Sequence, residues 1–282
     1  MSSDSKTPTA FSTRRPPLPE TTRRLAEEPG WIWDEIEIDK ERRWHFRWPS
    51  AALAARHQAM CDELSQGAPS LTTEAPSRFS SARWAPARQG QPSSVSEDLE
   101  LSTTLAMMRA LGQALRRLHN HPCPDGFGIP ERMHLPQTAH YQTFNAAMAS
   151  QLSAMAKRLD AVERDEEHVR LTERFAWLRQ SLSAFHPRTR SVWTLGNLSP
   201  GRLLVVPELG HLAAFLDLSG CALRPPEYDL ARALSPSLAG ASAATERAFW
   251  AGYSAAPTMD LRRRLRFFTE LAALDTSLPP AP

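Results

Sequence analysis

The sequence predicts an α+β protein with a small β-rich N-terminal part and a larger, mainly helical C-terminal part. Two observations carry this prediction. In the segment WIWDEIEIDKERRWHFRWPS, residues 31–50, apolar and polar residues alternate as they do in β-strands. From residue 99 onward, apolar residues instead recur at spacings of three and four, which is typical of helices. The 282 residues are 41% hydrophobic, which is enough to build a core in each part.

The first elements of the chain are a polar tail and a hairpin. Residues 1–29 are rich in Ser, Thr and Pro and have almost nothing to bury, so they are predicted to form a disordered tail. Ile36 and Ile38 then fall on one side of an extended segment, and Trp44 and Phe46 do the same after a polar link. This alternation favours two strands joined as a hairpin.

A helix and a boundary follow the hairpin. Helix formers dominate residues 51–66, and Gly67 supplies a stop signal directly after them. Residues 67–98 are dense in Ser, Pro and Gly, with a short strand predicted at 79–84. We therefore assign residues 30–98 to a small N-terminal lobe and its hinge.

The remaining residues, 99–282, are predicted to form a helical lobe with an embedded β-hairpin. The hairpin strands are expected at 203–206 and 212–218, joined at 207–210, because short apolar runs flank a Pro and Gly pair. The helical segments recur on both sides of it and are expected at 99–119, 139–162, 166–185 and, with interruptions, 227–275.

Composition gives no support for several classes of partner. Lys and Arg total 33 against 31 Asp and Glu, so no strong positive field favours nucleic acid. No apolar run approaches the roughly 18 residues that span a bilayer, and the N-terminus lacks an apolar signal core. The three cysteines show no C-x-x-C spacing and indicate reduced thiols. We expect a soluble, cytoplasmic protein with neither nucleic acid nor membrane as a partner.

Four motifs occur in a fixed order in the helical lobe. LGNLSPGR at 195–202 is followed by the strand LLVV, by FLD at 215–217 and by YDLA at 228–231. This order resembles that of the aminoglycoside phosphotransferases and choline kinases, in which a loop H-G-D-x-x-x-x-N precedes a hairpin that ends in Asp. LGQALRRLHN at 111–120 and AFWAGY at 248–253 resemble two further helices of that family. The resemblance covers about 100–255 and implies a bilobal protein-kinase-like fold that uses ATP and Mg²⁺.

The residues at the family's catalytic positions differ from its motif. Asn197 stands where the family has the catalytic Asp, and an amide cannot act as a general base. Leu195 replaces the loop His. Arg202 replaces the metal-binding Asn and has donors but no acceptor, so it cannot coordinate Mg²⁺. Asp217 matches the metal-binding Asp and is the only surviving metal ligand that the resemblance predicts.

The small lobe departs from the family in a similar way. Gly30 is the only glycine before Gly67, so no glycine-rich loop can approach phosphates closely. The resemblance places Arg47 in the slot of the phosphate-contacting Lys. The helix that follows offers Arg56 and His57 where an acid is expected, with Asp62 or Glu63 as alternatives in another register.

Two hypotheses remain open for the altered cleft. In the first hypothesis, Arg202 pairs with Asp217 and fills an empty metal pocket. In the second, Arg202 replaces the charge of the metal ion in a nucleotide site, to which Arg47 and Asp217 also contribute. Outside the cleft, Asp229 of YDLA is expected to anchor a loop, and His119 is expected to be a packed or capping residue.

Together these residues predict a pseudokinase, inactive or impaired, that binds a protein or peptide partner as a regulatory or scaffold subunit and needs no cofactor. One alternative is a divergent phosphotransferase that uses ATP and Mg²⁺ on a small molecule or on Ser/Thr of a peptide, as in natural-product biosynthesis or antibiotic modification. A peptide-binding or assembly subunit of a biosynthetic enzyme is the other.

Overall fold

The structure is a computed structural model of the full chain. The residues that it describes are 22–28, 31–38, 41–47, 51–65, 82–86, 91–92, 101–130, 140–182, 185, 189–196, 198–199, 202–206, 211–215, 218–239 and 242–279. Asn197 and Asp217, both singled out above, lie outside these ranges.

The small lobe contains one antiparallel sheet and one helix. Its sheet has the order β1-β2-β3-β4, and helix α1, Ala51–Ser65, follows the third strand. The four strands are β1 Thr22–Glu28, β2 Trp31–Ile38, β3 Glu41–Arg47 and β4 Ala82–Pro86. The hairpin predicted from the alternation is therefore the β2–β3 pair, in which Ile32 lies opposite Arg47.

Strand β1 corrects the boundary of the predicted N-terminal tail. It pairs antiparallel with β2 from Thr22 opposite Ile36 to Glu28 opposite Trp31. The prediction of disorder rested on the polar side chains of this segment, but pairing in a sheet uses backbone N–H and C=O groups, which a polar strand also provides. The sheet of the small lobe therefore begins at residue 22 and not at residue 30.

The helical lobe alternates helices with short strands. Its helices are α2 Leu101–His119, α3 Phe144–Leu159, α4 Glu166–Ser181, α5 Glu227–Ala233, α6 Pro236–Ala239, α7 Ala243–Tyr253 and α8 Met259–Ser277. Its strands, with β5 in the segment that leads into it, are β5 Gln91–Pro92, β6 Phe127–Gly128, β7 His140–Tyr141, β8 Val192–Thr194, β9 Leu203–Val206, β10 His211–Phe215 and β11 Ala222–Arg224. None of the described helices is long and apolar enough to cross a membrane.

Two small antiparallel sheets set the position of the loop after β8. The order β10-β9-β5 joins the predicted hairpin to the segment that leaves the small lobe. The order β7-β6-β11-β8 places Leu223 of β11 opposite Trp193 of β8. The loop after β8 and the turn before β11 are therefore neighbours at one end of this sheet.

Helix α3 is shorter than predicted because its N-terminus is capped. The Thr143 side chain accepts a hydrogen bond from the Ala146 N–H at 3.2 Å, so the helix begins at Phe144 and not at residue 139. The residues before it, His140 and Tyr141, form strand β7 and pair with β6. Two-residue strands have no periodicity, so sequence patterns do not distinguish them from a helix end.

Helices α2 and α7 pack in unusually close contact. A Cβ atom added at Gly252 would lie 2.0 Å from the Arg109 carbonyl oxygen, and one added at Gly112 would lie 2.3 Å from the carbonyl oxygen of Phe249. Only glycine allows two backbones to approach this closely. The contact brings the C-terminal ends of the two helices together, at His119 and Tyr253.

Candidate functional site

The Asp229 side chain anchors the beginning of the loop after β8. Its carboxylate is fully buried and accepts hydrogen bonds from two successive backbone N–H groups, Leu195 at 2.7 Å and Gly196 at 3.1 Å. Charge-assisted bonds of this kind are about twice as strong as neutral ones. The prediction that Asp229 anchors a loop is confirmed, and the anchored loop is the one that resembles the family's catalytic loop.

His119 extends this network to the end of α7. Its Nε2 lies 3.3 Å from Oδ2 of Asp229, and its Nδ1 lies 2.9 Å from the Tyr253 hydroxyl. A carboxylate only accepts hydrogen bonds, so in the neutral ring Nε2 carries the proton and the Tyr253 hydroxyl donates to Nδ1. His119 is 3% exposed. His119 is therefore a packed residue, as predicted, and does not face a cleft. Its hydrogen bond also orients the Asp229 carboxylate.

The hydroxyl of Tyr253 keeps its proton well into the alkaline range. Burial raises its pKa from 10.0 to about 12, and the negative charges of Glu227 and Asp229 add to the effect. Arg116 closes the same helix end by donating to the carbonyl oxygens of Tyr253 and Ser254, each at 2.8 Å. A neutral donor therefore faces His119 throughout the physiological pH range.

Gly196 gives the loop its turn. Its φ of +74° lies in the left-handed region, and an added Cβ would lie 2.2 Å from the Gly220 carbonyl oxygen and 2.5 Å from Nη1 of Arg224. Both the conformation and the space require glycine. A turn at residue 196 therefore follows directly after Leu195.

Of the residues at the family's catalytic and metal-binding positions, the structure describes Leu195, Arg202 and Arg47. Leu195 is 2% exposed and belongs to the hydrophobic core together with Trp193, Leu203 and Phe215. Arg202 is 7% exposed, just before β9. Asn197 and Asp217 lie outside the described residues, so the expected ion pair between Arg202 and Asp217 stays a prediction. Arg47 is the last residue of β3, not a mid-strand position as the resemblance implied.

A side-chain contact from α1 reaches the segment after Asp217. His57, 1% exposed, accepts a hydrogen bond at Nδ1 from the Leu218 N–H at 2.8 Å. The neighbouring Arg56 donates to the Cys221 carbonyl oxygen at 3.4 Å. The two residues that stand where an acid is expected therefore attach α1 to residues 218–221, while the alternative Asp62 is exposed. One signal could have indicated this role, since His57, Met60 and Leu64 share a buried helix face.

Arg224 is a residue near the site that sequence reasoning missed. Its Nη1 donates to Oγ1 of Thr194 at 3.2 Å and to the Gly220 carbonyl oxygen at 3.1 Å, so it connects β11 to the start of the loop. Its guanidinium also lies over the Tyr228 ring, 4.6 Å from the centroid. Within the described part of the chain, no three His, Cys, Asp or Glu side chains are grouped as a metal site would require.

Three solved structures with a similar fold are phosphotransferases. A thermostable mutant of aminoglycoside phosphotransferase APH(4)-Ia matches with a TM-score of 0.64 and 14% identity, over 91% of this chain and 85% of that one. Macrolide 2'-phosphotransferase MphH from Brachybacterium faecium matches at 0.59 and 15%, over 92% and 86%. Spectinomycin phosphotransferase APH(9)-Ia, solved with ADP and spectinomycin, matches at 0.61 and 11%, over 91% and 80%. These matches confirm the predicted bilobal α+β, protein-kinase-like fold.

Comparison at the level of sequence gives the family. No curated protein matches the chain significantly. Residues 33–268, however, match the phosphotransferase enzyme family, APH. This range contains all but the first two residues of the small-lobe hairpin, the loop after β8 and the YDLA motif. The chain therefore belongs to the phosphotransferase enzyme family.

Proposed function

We propose that this protein is a pseudokinase: a member of the phosphotransferase family that does not transfer phosphate and acts by binding a protein or peptide partner. The observation that carries the proposal is the burial of Arg202, which is 7% exposed at the position of the family's metal-binding Asn. A buried guanidinium has no lone pair to offer Mg²⁺. At 4 Å it opposes each unit of cation charge by about 4 kcal/mol at an effective dielectric constant of 20. The residues present do not fit a resident Mg²⁺ ion.

Leu195 supports the same proposal. Its side chain is in the apolar core, so it provides none of the polar bracing that the family's loop His would give. The sequence also places Asn197 at the catalytic position, where its amide cannot take a proton from a substrate hydroxyl. The loop thus keeps its attachment to Asp229 at Leu195 and Gly196 and lacks both a base and a polar brace.

One observation favours the alternative, a divergent ATP-dependent phosphotransferase with a small-molecule or peptide Ser/Thr acceptor. The hydrogen bonds from Leu195 and Gly196 to Asp229 preserve a loop geometry that catalysis would need. Asp217 would be its surviving metal ligand. The solved relatives are described as aminoglycoside, macrolide and spectinomycin phosphotransferases, which makes antibiotics and other natural products the acceptors to test first.

Nucleotide binding and turnover separate the two functions. We expect no transfer of γ-phosphate from ATP to aminoglycoside, macrolide or peptide acceptors, and no Mg²⁺-dependent thermal shift with ATP. Binding at a hundredfold excess over Kd would stabilise the fold by about 2.7 kcal/mol, a readily measured shift. Turnover by the natural sequence, lost in Asn197→Ala, would overturn the proposal.

Restoring the family's residues sharpens this test. In the double variant Asn197→Asp with Arg202→Asn, Asp217 and the new Asn could hold Mg²⁺, so we expect a Mg²⁺-dependent thermal shift with ATP that the natural protein lacks. Arg117→Asn is the matched control, since Arg117 is an exposed arginine on α2. For the partner, co-expression with the products of neighbouring genes followed by size-exclusion chromatography should yield a stable complex.

A further inference from the structure

A pocket of 260 Å³ lies between α3, α8 and the strands β6, β7 and β11. Its inner wall is aromatic, and its four buried rings are each 6% exposed or less: Phe127, Phe144, Tyr228 and Phe268. Ser150 and Ala154, on the α3 side of the pocket, are exposed, so the pocket opens to solvent there. We call it the aromatic pocket.

A cation without a carboxylate partner lines the aromatic pocket. The two hydrogen-bond acceptors of Arg224 are Thr194 Oγ1 and the Gly220 carbonyl oxygen, and both are neutral. A second guanidinium, that of Arg232, lies 4.3 Å from the centroid of the same Tyr228 ring. Across the described residues, neither arginine takes part in an ion pair. Arg224 is a partly buried positive charge in the wall of an apolar pocket, and Arg232 adds positive charge nearby without lining it. This arrangement favours an anionic ligand group, because charges removed from water are costly unless paired.

We propose that the aromatic pocket binds a small aromatic carboxylate, with its ring against the wall that Phe144 and Phe268 form together and its carboxylate on Arg224. Size supports a ligand with one ring, since a cavity of about 150 Å³ holds benzene and the remaining volume accommodates a short acidic side chain. Ligand pockets combine apolar walls with a few polar groups that fix orientation. The Tyr141 hydroxyl, which donates to Ser150 Oγ at 2.6 Å, is a further polar group at the pocket.

Binding in the aromatic pocket is coupled to the loop after β8. A carboxylate that draws the Arg224 guanidinium toward the pocket weakens its bonds to Thr194 and Gly220. Thr194 ends β8, two residues before the Gly196 turn, and Gly220 faces that turn. A bound ligand therefore changes the stability of the loop without entering the cleft.

The test uses phenylacetate and its neutral match, phenylacetamide, titrated into the full-length protein by calorimetry. A hydrogen bond to a charged group contributes about 1.5–3 kcal/mol, so phenylacetate should bind at least about tenfold more tightly than the amide. Arg224→Gln should remove this preference. Ala147→Phe fills the pocket from α3 and should abolish binding of both compounds. Hydrogen exchange of peptides that cover 192–196 should change on adding phenylacetate.

Three outcomes would overturn the proposal. They are no binding of phenylacetate up to its solubility limit, equal affinities for the acid and the amide, and undiminished binding to Ala147→Phe. The comparison of phenylacetate with phenylacetamide needs only the natural protein, so it tests the proposal even where a variant fails to fold. Thermal denaturation of each variant shows whether a loss of binding reflects a loss of fold.

Discussion

Two groups of residues at the loop after β8 differ in how far they follow the family motif: those that anchor the loop and those at its catalytic and metal-binding positions. Behind it, Asp229 and His119 stand where the motifs place them and form a buried hydrogen-bond network. At the chemical positions, Leu195 and Arg202 replace the family's polar brace and metal ligand. The anchoring residues act through backbone N–H groups, which every residue except proline has. Bonds of this kind can persist when the side chains at the catalytic and metal-binding positions change, so they are evidence of ancestry and not of activity.

A second anchor, from α1, makes the comparison more precise. Asp229 and His57 are both buried acceptors of backbone N–H groups on segments that flank the cleft. Asp229 belongs to a family motif, whereas His57 stands where the resemblance led us to expect an acid. The four predictions that follow test how much each anchor contributes.

The largest effect is expected for Asp229→Ala. The change leaves the N–H groups of Leu195 and Gly196 and the ring of His119 without their acceptor, and each buried donor left unpaired costs about 1–3 kcal/mol. Urea denaturation should show this loss in the free energy of unfolding. Asp160→Ala, at an exposed position after α3, is the matched control and should change stability by less than about 0.5 kcal/mol. Equal effects of the two changes would refute the anchoring role.

Gly196→Ala is expected to have the next largest effect. A left-handed backbone costs a non-glycine residue about 1–2 kcal/mol, and crowding against Gly220 and Arg224 adds about 1–3 kcal/mol. Gly196→Asn separates the two causes, because Asn tolerates positive φ but carries the same Cβ. If both variants lose the same stability, contact is the dominant cause. If Asn is tolerated, the backbone conformation dominates.

Motif order was enough to predict the anchored loop, and periodicity was enough to predict the long helices. Strand β9 was predicted with its observed bounds, Leu203–Val206, and α2 to within two residues, because their apolar patterns are long or sharply bounded. The role of Asp229 could be predicted because it belongs to YDLA. The identity of its donors could not, since the amides of Leu195 and Gly196 carry no signal of their own in the sequence.

The contacts of Arg224 and His57 could not be predicted for a different reason. His57 joins α1 to Leu218, and Arg224 joins β11 to Thr194. Both contacts link residues that are distant in the chain, so they depend on how the elements pack. Strand β1 was missed because its sequence, TRRLAEE, is mostly polar and does not alternate, although its backbone pairs with β2. Sequence patterns report which faces are buried, but not which polar atoms meet once the faces are packed.

His57→Leu is expected to cost about 1–3 kcal/mol, because it leaves the buried Leu218 N–H without an acceptor. His57→Asn should recover most of that stability, since its side-chain oxygen can take the place of Nδ1. Hydrogen exchange of peptides covering 216–221 should accelerate in the Leu variant and return toward the natural rate in the Asn variant. Failure of Asn to rescue, with exchange unchanged in both, would show that the hydrogen bond does not hold this segment.

The smallest effect at neutral pH is expected for Tyr253→Phe, about 0.5–1.5 kcal/mol for one hydrogen bond to His119. Its effect on the pH dependence is more distinctive. Burial raises the pKa of Tyr253 from 10.0 to about 12, so between these values the folded protein holds a proton that the unfolded chain has released. The free energy of unfolding should therefore fall as pH rises through this window, and this part of the fall should be absent in Tyr253→Phe. Tyr141→Phe is the control, since Tyr141 contacts Ser150 and not the network. If the free energy of unfolding falls with the same slope above pH 10 in the natural protein and in Tyr253→Phe, the group that titrates at high pH lies elsewhere in the fold.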